Sequence, residues 1–362
     1  MKLLFTNNTL ATRAGSELWL RDVAMAAAAR GMDVAAYSPR LGEVAEELRR
    51  AGIAAVDDLD ALPWRPDLLH GHHHLETMTA LLHFDGLQGV FVCHGAVPFE
   101  EEPPLHPRLR RYVAVDEPCR ERILESGVPA ERVSTVANFV DLSRFVSRPP
   151  LPVRPRRALV LSHNLGEANG LAEVREACRE AGIELESLGT ASGRVTDRPE
   201  EALQRADVVF AKARAALEGL ATGCAVVLCD AQGIGPLVTE EAFEELRRLN
   251  FGFRTLASPV ARRAVAERLG AYDPESAARV SARVRAGAGL DAAVDALEDV
   301  WRAALADPAP LDEAAERRAA ARYVRHLSMR VKDHEMVRAE RDRLAEELRK
   351  VEAVLSNEGR RF

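Results

Sequence analysis

Short apolar runs alternate with amphipathic stretches along most of the chain. The runs have the length and residue types of buried strands, and the stretches between them repeat their apolar residues at helical spacing. Lys2 to Thr6 predicts a strand, which the polar turn NNTLATRAGSE separates from a helix over Glu17 to Arg30, ended by Gly31. Asp33 to Tyr37 is the next strand, and Gly42 to Arg50 a helix closed by Gly52. Leu68–Leu69 end a strand that runs into His70, and Gly89 to Cys93 and Tyr112 to Val115 are two more. A helix over Pro118 to Ser126 leads to a last strand, Val133 to Val136. Helices between short apolar strands define a doubly wound α/β domain.

The segment VSRPPLPVRPRR, with four prolines and four arginines, cannot be regular structure and reads as an interdomain linker. A second α/β series begins with Ala158 to Ser162 and continues through Ile183 to Ser187. Its centre is the stretch from Asp207 to Asp230: a buried strand (Val208 to Phe210), a helix opening near Lys212, a Gly223 stop and a second strand (Ala225 to Leu228). Such a unit implies parallel strands joined by a right-handed crossover. The series ends in helices up to about Leu305, and after Pro310 the chain is almost continuously helical. The expected domains are therefore 1–146, a linker over 147–157, 158–305, and a helical extension over 306–362. Val337, Leu344, Leu348, Val351 and Leu355 form a short heptad seam interrupted by His334 and Arg341. The seam would allow a homodimer through residues 327–355; a solvated terminal helix is the other reading, since so few heptads bury little.

At 362 residues the chain exceeds one ordinary core. A hydrophobic content of 47% with 29% charged residues describes a soluble globular protein. The formal net charge of −7 and the lack of a Lys/Arg tract argue against a nucleic-acid surface. MKLLFTNN turns polar too early for a signal peptide, and no apolar run approaches a membrane span. Cys93, Cys119, Cys178, Cys224 and Cys229 are an odd set without metal-like spacing, as expected of a reduced, cytoplasmic protein.

Ligands in parallel sheets bind beyond the carboxyl ends of strands, where helix N-termini point. Lys212 and Arg214 at one such helix start suit a pyrophosphate, and Glu218 one turn on can accept from a pair of ribose hydroxyls. The plain alternative makes the two cations exposed helix charges. In Arg13-Ala14-Gly15-Ser16-Glu17, Gly15 allows close backbone approach and Ser16 can cap the following helix, although an ordinary turn would look the same. The full G-x-G-x-x-G fingerprint of a nicotinamide dinucleotide site is missing. His70-Gly71-His72-His73-His74 suggests a metal at first sight. Alternation of side chains along a strand and the absence of a spaced carboxylate or thiol favour histidines lining a cleft. His94, at the end of the strand GVFVCHG, sits where it could donate to a sugar hydroxyl or a developing charge, or serve the packing alone.

Taken together, these residues resemble the retaining glycosyltransferases of family 4, over about residues 1–305. The resemblance rests on GSE followed by a helix ending RGMDV, on DLLHGHHH, VCHG and YVAVDEPCRERILESGV, on NFVDLSRF before the linker, and on LEGLATGCAVVLCDAQGIGPLV. It implies a GT-B fold, two Rossmann-like domains facing each other across a cleft. It also implies transfer of a sugar from a nucleotide-sugar (UDP or GDP) to a glycan or other hydroxyl acceptor, with retention, no metal and no further cofactor. The donor would sit on the C-terminal domain and the acceptor on the N-terminal one. By resemblance Glu218 holds the donor ribose, His94 lies near the donor sugar and phosphate, and Gly15 faces the diphosphate with Ser16. Glu17, His72 and His73 would line the acceptor side.

Two departures from the family pattern stand out. The Arg and Lys usual after the first strand of the second domain are replaced by His163 and Asn169. The first glutamate of the E-x7-E pair is also lost, its place falling on Phe210. A departing diphosphate needs positive charge or oriented amides, so Lys212 and Arg214 are expected to replace the missing cations. Changing both to Ala should then abolish turnover without unfolding the protein. A nucleotide-sugar epimerase of the same fold and a non-catalytic member acting through residues 311–362 are the competing readings.

Overall fold

The structure, a computed structural model, describes residues 1–309 and 312–358, with side chains described as far as Val351. Leu355 of the expected seam therefore lies outside the described side chains. The chain divides into two units, residues 1–103 with 108–308, and residues 104–107 with those from 309 onward.

The first unit contains two sheets. Strands β1 (Lys2–Thr6), β2 (Asp33–Tyr37), β3 (Ala54–Val56), β4 (Leu68–His72), β5 (Gln88–Cys93), β6 (Leu109–Ala114) and β7 (Val133–Thr135) form the first. Their order is β3-β2-β1-β4-β5-β6-β7 and every pairing is parallel. Parallel neighbours need crossovers, which α1 (Gly15–Ala29), α2 (Glu43–Arg50), α3 (His74–His83) and α4 (Glu117–Glu125) supply. The second sheet holds β8 (Arg157–Leu161), β9 (Glu184–Leu188), β10 (Val208–Ala211), β11 (Ala225–Asp230) and β12 (Gly233–Leu237) in the order β12-β11-β10-β8-β9. Its helices are α5 (Leu171–Glu180), α6 (Pro199–Arg205), α7 (Ala213–Thr222), α8 (Phe243–Arg248), α9 (Arg262–Gly270) and α10 (Pro274–Gly287). Every residue of β10 and β11 is buried, as strands covered on both faces must be. The strand order reverses between β1 and β4 in one sheet and between β8 and β10 in the other. A crevice opens at each such point.

The doubly wound α/β reading holds, with differences that have physical causes. Strand β4 continues through His72, because His70 and His72 both turn to one face and are buried there. Short β3 and the helix α3, capped by His73 and begun by His74, were not predicted. The parallel unit ends in an antiparallel edge strand, β12, made possible by Gly233 and Gly235, where a Cβ would strike the carbonyl oxygens of Ser258 and Thr255. The linker holds no helix or strand before Arg157, yet it is pinned. Asp207 accepts from Arg148 at 2.8 Å and from the backbone amides of Arg156 and Arg157 at 2.8 and 3.1 Å.

The largest difference concerns α11 (Leu290–Ala306), which falls inside the range 158–305 assigned to the second domain. It packs on α1, β5 and β6 of the first. Trp301, fully buried, donates from Nε1 to His70 Nδ1 at 2.8 Å, and Arg30 bonds Asp295 and Glu298 at 2.6 and 2.8 Å. Burial of one indole outweighs chain continuity as a guide to which domain a helix joins.

In the second unit α12 (Glu313–Glu358) is one uninterrupted helix. Val337, Leu344, Leu348 and Val351 of the predicted seam are exposed.

Candidate nucleotide-sugar cleft

A cavity of about 290 Å³ lies between the two sheets, lined by Gly15, His163, Lys212, Arg214 and Glu218 among others. The loop after β1, the loop after β8 and the turn between β10 and α7 all reach it, so it collects the carboxyl ends of both sheets. Two helix starts face it. Helix α1 begins after Ala14 and α7 after Lys212, and neither has a side-chain cap. Unpaired first-turn amides carry partial positive charge and accept an anion. Ser16, expected as a cap, instead donates to Glu17 Oε2 at 2.8 Å, because it lies inside the helix rather than before it. Adding a Cβ to Gly15 meets nothing within 4 Å, so this residue borders open space.

On the β8 side, Ser162 Oγ and Asn164 Nδ2 donate to the two oxygens of Asp230. Lys212 Nζ reaches the same carboxylate at 2.6 Å and Gln232 at 3.2 Å. Burial opposes charge on Asp230, but the bonds from Lys212 and Ser162 prevail and hold its pKa below the ordinary value. His163 stays exposed and shares a 2.9 Å bond through Nδ1 with Thr190. Gly189 beside it has φ +144°, and a Cβ there would collide with the Ser162 carbonyl at 1.8 Å.

Arg214 is the element that joins the two sides. Its Nε donates to Glu218 Oε1 at 2.8 Å, and its Nη2 to Asp22 on α1, in the opposite domain. Asp22 also accepts from Arg21, which in turn donates to Glu47 at 2.8 Å, and Glu47 accepts from Arg13 at the cavity wall. Charges thus alternate from Glu218 to Arg13. Burial disfavours the Arg214 cation, yet Asp22 and Glu218 together carry its pKa above the ordinary value. Burial raises Glu218 in spite of Arg214, whereas Asp22, bonded to two guanidiniums, is lowered against its own burial. These contacts define the setting of the two cations expected to compensate the diphosphate. Lys212 and Arg214 line the cavity, but both are matched to carboxylates that the sequence did not mark as partners.

His70, His72, His73 and His74 are buried, and His94 is half-buried. Glu17 is buried too, and none of Glu17, His72 and His73 lines this cavity. Glu17 accepts from Thr12 and Ser16. His73, at φ +60°, bonds Glu101 at 3.2 Å and accepts from the Asn8 amide. Burial would lower its pKa, but Glu101 raises it above the ordinary value. Glu101 also accepts from the His94 amide at 2.8 Å. His94 is half-buried at the end of β5, with Nε2 2.8 Å from His72 Nδ1, and burial lowers its pKa to about 4. Trp19 packs against His70, His72 and His94 with ring centres 5.8, 5.1 and 5.1 Å away. Among the described residues no group of three His, Cys, Asp or Glu side chains is arranged to hold a metal ion.

A more open hollow of about 640 Å³ between α4 and α8 is lined by Asp116, Glu117, Glu244, Glu245, Arg247 and Arg248. Four carboxylates make it a poor seat for a diphosphate.

Sequence reasoning missed Asp22, Asp230, Glu101 and Trp19. Only Asp230 had a local signal, being the polar end of a buried strand. Arg144, in the NFVDLSRF segment before the linker, also lines the cavity and bonds Glu200 at 2.7 Å.

Two Rossmann-like domains that bring their strand ends to one cleft define a GT-B protein. Solved structures agree. The Anabaena protein HepE in complex with UDP and glucose matches with a TM-score of 0.57 and 14% identity, over 83% of this chain and 99% of that one. Sucrose-phosphate synthase from Thermosynechococcus elongatus matches at 0.54 and 14%, over 83% and 98%. UDP-GlcNAc 2-epimerase from Neisseria meningitidis bound to UDP-GlcNAc matches at 0.54 and 12%, over 83% and 99%. Residues 13–144 match the model of Glycosyltransferase Family 4, so the resemblance to that family read from the motifs stands. Among curated proteins none matches the chain.

Proposed function

We propose that the protein transfers a sugar from a nucleotide-diphosphate sugar to an acceptor hydroxyl, with retention at the anomeric carbon and without a resident metal. The cavity shared by the N-termini of α1 and α7 supports this reading, because oriented amides from both domains would converge on a diphosphate. UDP is the favoured nucleotide, since the HepE and epimerase structures hold UDP or a UDP-sugar. Glu218 would accept from the ribose hydroxyls, Lys212 would share its charge between Asp230 and the diphosphate, and His163 would border the same seat. Arg214 positions Glu218. His94 would donate to the sugar or phosphate from the N-terminal domain. With the cleft closed over the donor, water is kept from the anomeric carbon and transfer outruns hydrolysis.

A screen of UDP, GDP, ADP, CDP and dTDP by thermal unfolding tests the reading. UDP should raise the Tm, and Glu218→Gln should lose that shift. No response to any of the five would overturn it. An epimerase would instead turn over UDP-sugar with no acceptor present. The product belongs by this reading to glycan or glycoconjugate synthesis in the cytoplasm. The exposed seam of α12 supports pairing with a second copy, and Leu344→Glu with Leu348→Glu should then give a monomer in sedimentation.

A further inference from the structure

Beneath the proposed donor seat lies a row of imidazoles whose protons can be located from their partners. Strand alternation puts His70 and His72 on one face of β4, against Trp19, Phe5 and Trp301. An indole N–H can only donate. Trp301 Nε1 lies 2.8 Å from His70 Nδ1, so that nitrogen is the acceptor and the His70 proton sits on Nε2.

His72 and His94 share the next bond, Nδ1 to Nε2 at 2.8 Å. Burial keeps both rings neutral at ordinary pH, so one proton lies between them and there are two ways to place it. If His94 donates, His72 accepts at Nδ1 and must carry its own proton on Nε2. That atom is buried and has no hydrogen-bond partner among the described residues. If His72 donates, its Nε2 is a bare lone pair. Buried N–H groups without acceptors are rarer and costlier than acceptors without donors. One such N–H is already forced on the cluster, at His70 Nε2. The second arrangement avoids another.

We propose that His72 is a positioning residue that fixes the tautomer of His94. His94 accepts at Nε2 and carries its proton on Nδ1, the ring nitrogen that His72 does not engage, at the carboxyl end of β5. His94 is then a neutral hydrogen-bond donor toward an oxygen of the ligand, and neither a cation nor a general base. Its main chain is held independently, through the Glu101 carboxylate on the His94 amide, so His72 sets the proton rather than the place. This deepens the donor-site reading and rests on it only for the identity of the ligand.

The test is imidazole nitrogen NMR on the full chain, with the His94 signals assigned by difference from His94→Gln. A pyrrole-type shift at His94 Nδ1 and a pyridine-type shift at Nε2 are expected. The reverse pattern in the wild-type protein would overturn the proposal without any variant at position 72. His72→Phe should move His94 toward the Nε2-protonated form and lower kcat/KM for the donor about tenfold, the worth of one hydrogen bond. His72→Asn, whose amide nitrogen can stand where Nδ1 stood, should restore the shift pattern. An unchanged His94 tautomer in His72→Phe would also overturn the assignment. Nucleotide response is read separately on the same samples: the expected tautomer with no response to any of the five nucleotides would leave this proposal standing and sink the glycosyltransferase reading.

Discussion

Arg214 lies between two carboxylates, each on a different domain, and its removal leaves the buried Glu218 without its charged partner and Asp22 with Arg21 alone. Arg214→Ala should therefore cost about 3 kcal/mol of stability, the usual consequence of leaving a buried charge without its partner. This reverses the sequence-based expectation that Lys212 and Arg214 could be changed without harm to the fold. Chemical denaturation decides it, and an unchanged midpoint would show that the pair contributes nothing. Acid should act on other residues. His94 titrates at about 4 and His70 at about 3 in the fold, against an ordinary 6.5. Each is depressed, so the unfolded chain binds protons first, and stability should fall as pH drops below 6.5 and continue falling toward 4. Thermal unfolding between pH 7.5 and 4 should show this decline, and His94→Gln should make it shallower. The partners that set these behaviours were largely invisible in sequence. Arg214 and Asp22 are 192 residues apart, and a charged residue on an amphipathic helix carries no mark of the side chain it will meet across a cleft. Glu218, His163 and Gly15 were legible because each sits at a fixed offset from a strand end or helix start.

Among the elements, the strand–turn–helix units carry the site. Helix α7 opens directly from β10, with Ala213 at φ +49° and its amide bonded to the Phe251 carbonyl at 2.9 Å. The conformation is strained for a residue with a Cβ. It is held by that bond, while Gly223 at φ +98° caps the far end of the same helix. Gly189 is the stricter case. Gly189→Ala would force the end of β9 away from the Ser162 carbonyl, and both segments border the cavity. It should lower the Tm and weaken UDP binding together; calorimetry finding wild-type affinity would refute the link. Buried strands were read well, since continuous apolar runs have few alternatives. The helix α3 escaped because the histidine run 72–74, which spans the end of β4 and the start of α3, broke the apolar period, and the burial of His72 and His74 depends on Trp19 and Phe99 rather than on local spacing. The edge strand β12 escaped because two glycines and a proline mask its pattern.

At the scale of the molecule, the Asp22–Arg214 pair spans the cleft, and Asp22→Asn should loosen the arrangement of the domains. Small-angle scattering should give a larger radius of gyration in the variant, shrinking again with UDP; identical curves would show that the pair does not hold the domains. The second α/β series was legible from its apolar runs and the proline-rich segment before it, but the return of α11 was not, because its destination is written in Trp301 and His70 and not in its own helical period. That return has a mechanical meaning. The chain passes between the domains twice, once through the segment after Val140 and again before Leu290. The passages touch: the Val140 amide donates to the Ala288 carbonyl at 2.8 Å and the Leu290 amide to the Val140 carbonyl at 3.0 Å. Two strands laced side by side behave like a strap hinge on a lid. They tie one edge of the cleft at adjacent points, so any relative movement of the domains would be confined to a swing about that line, keeping the starts of α1 and α7 face to face.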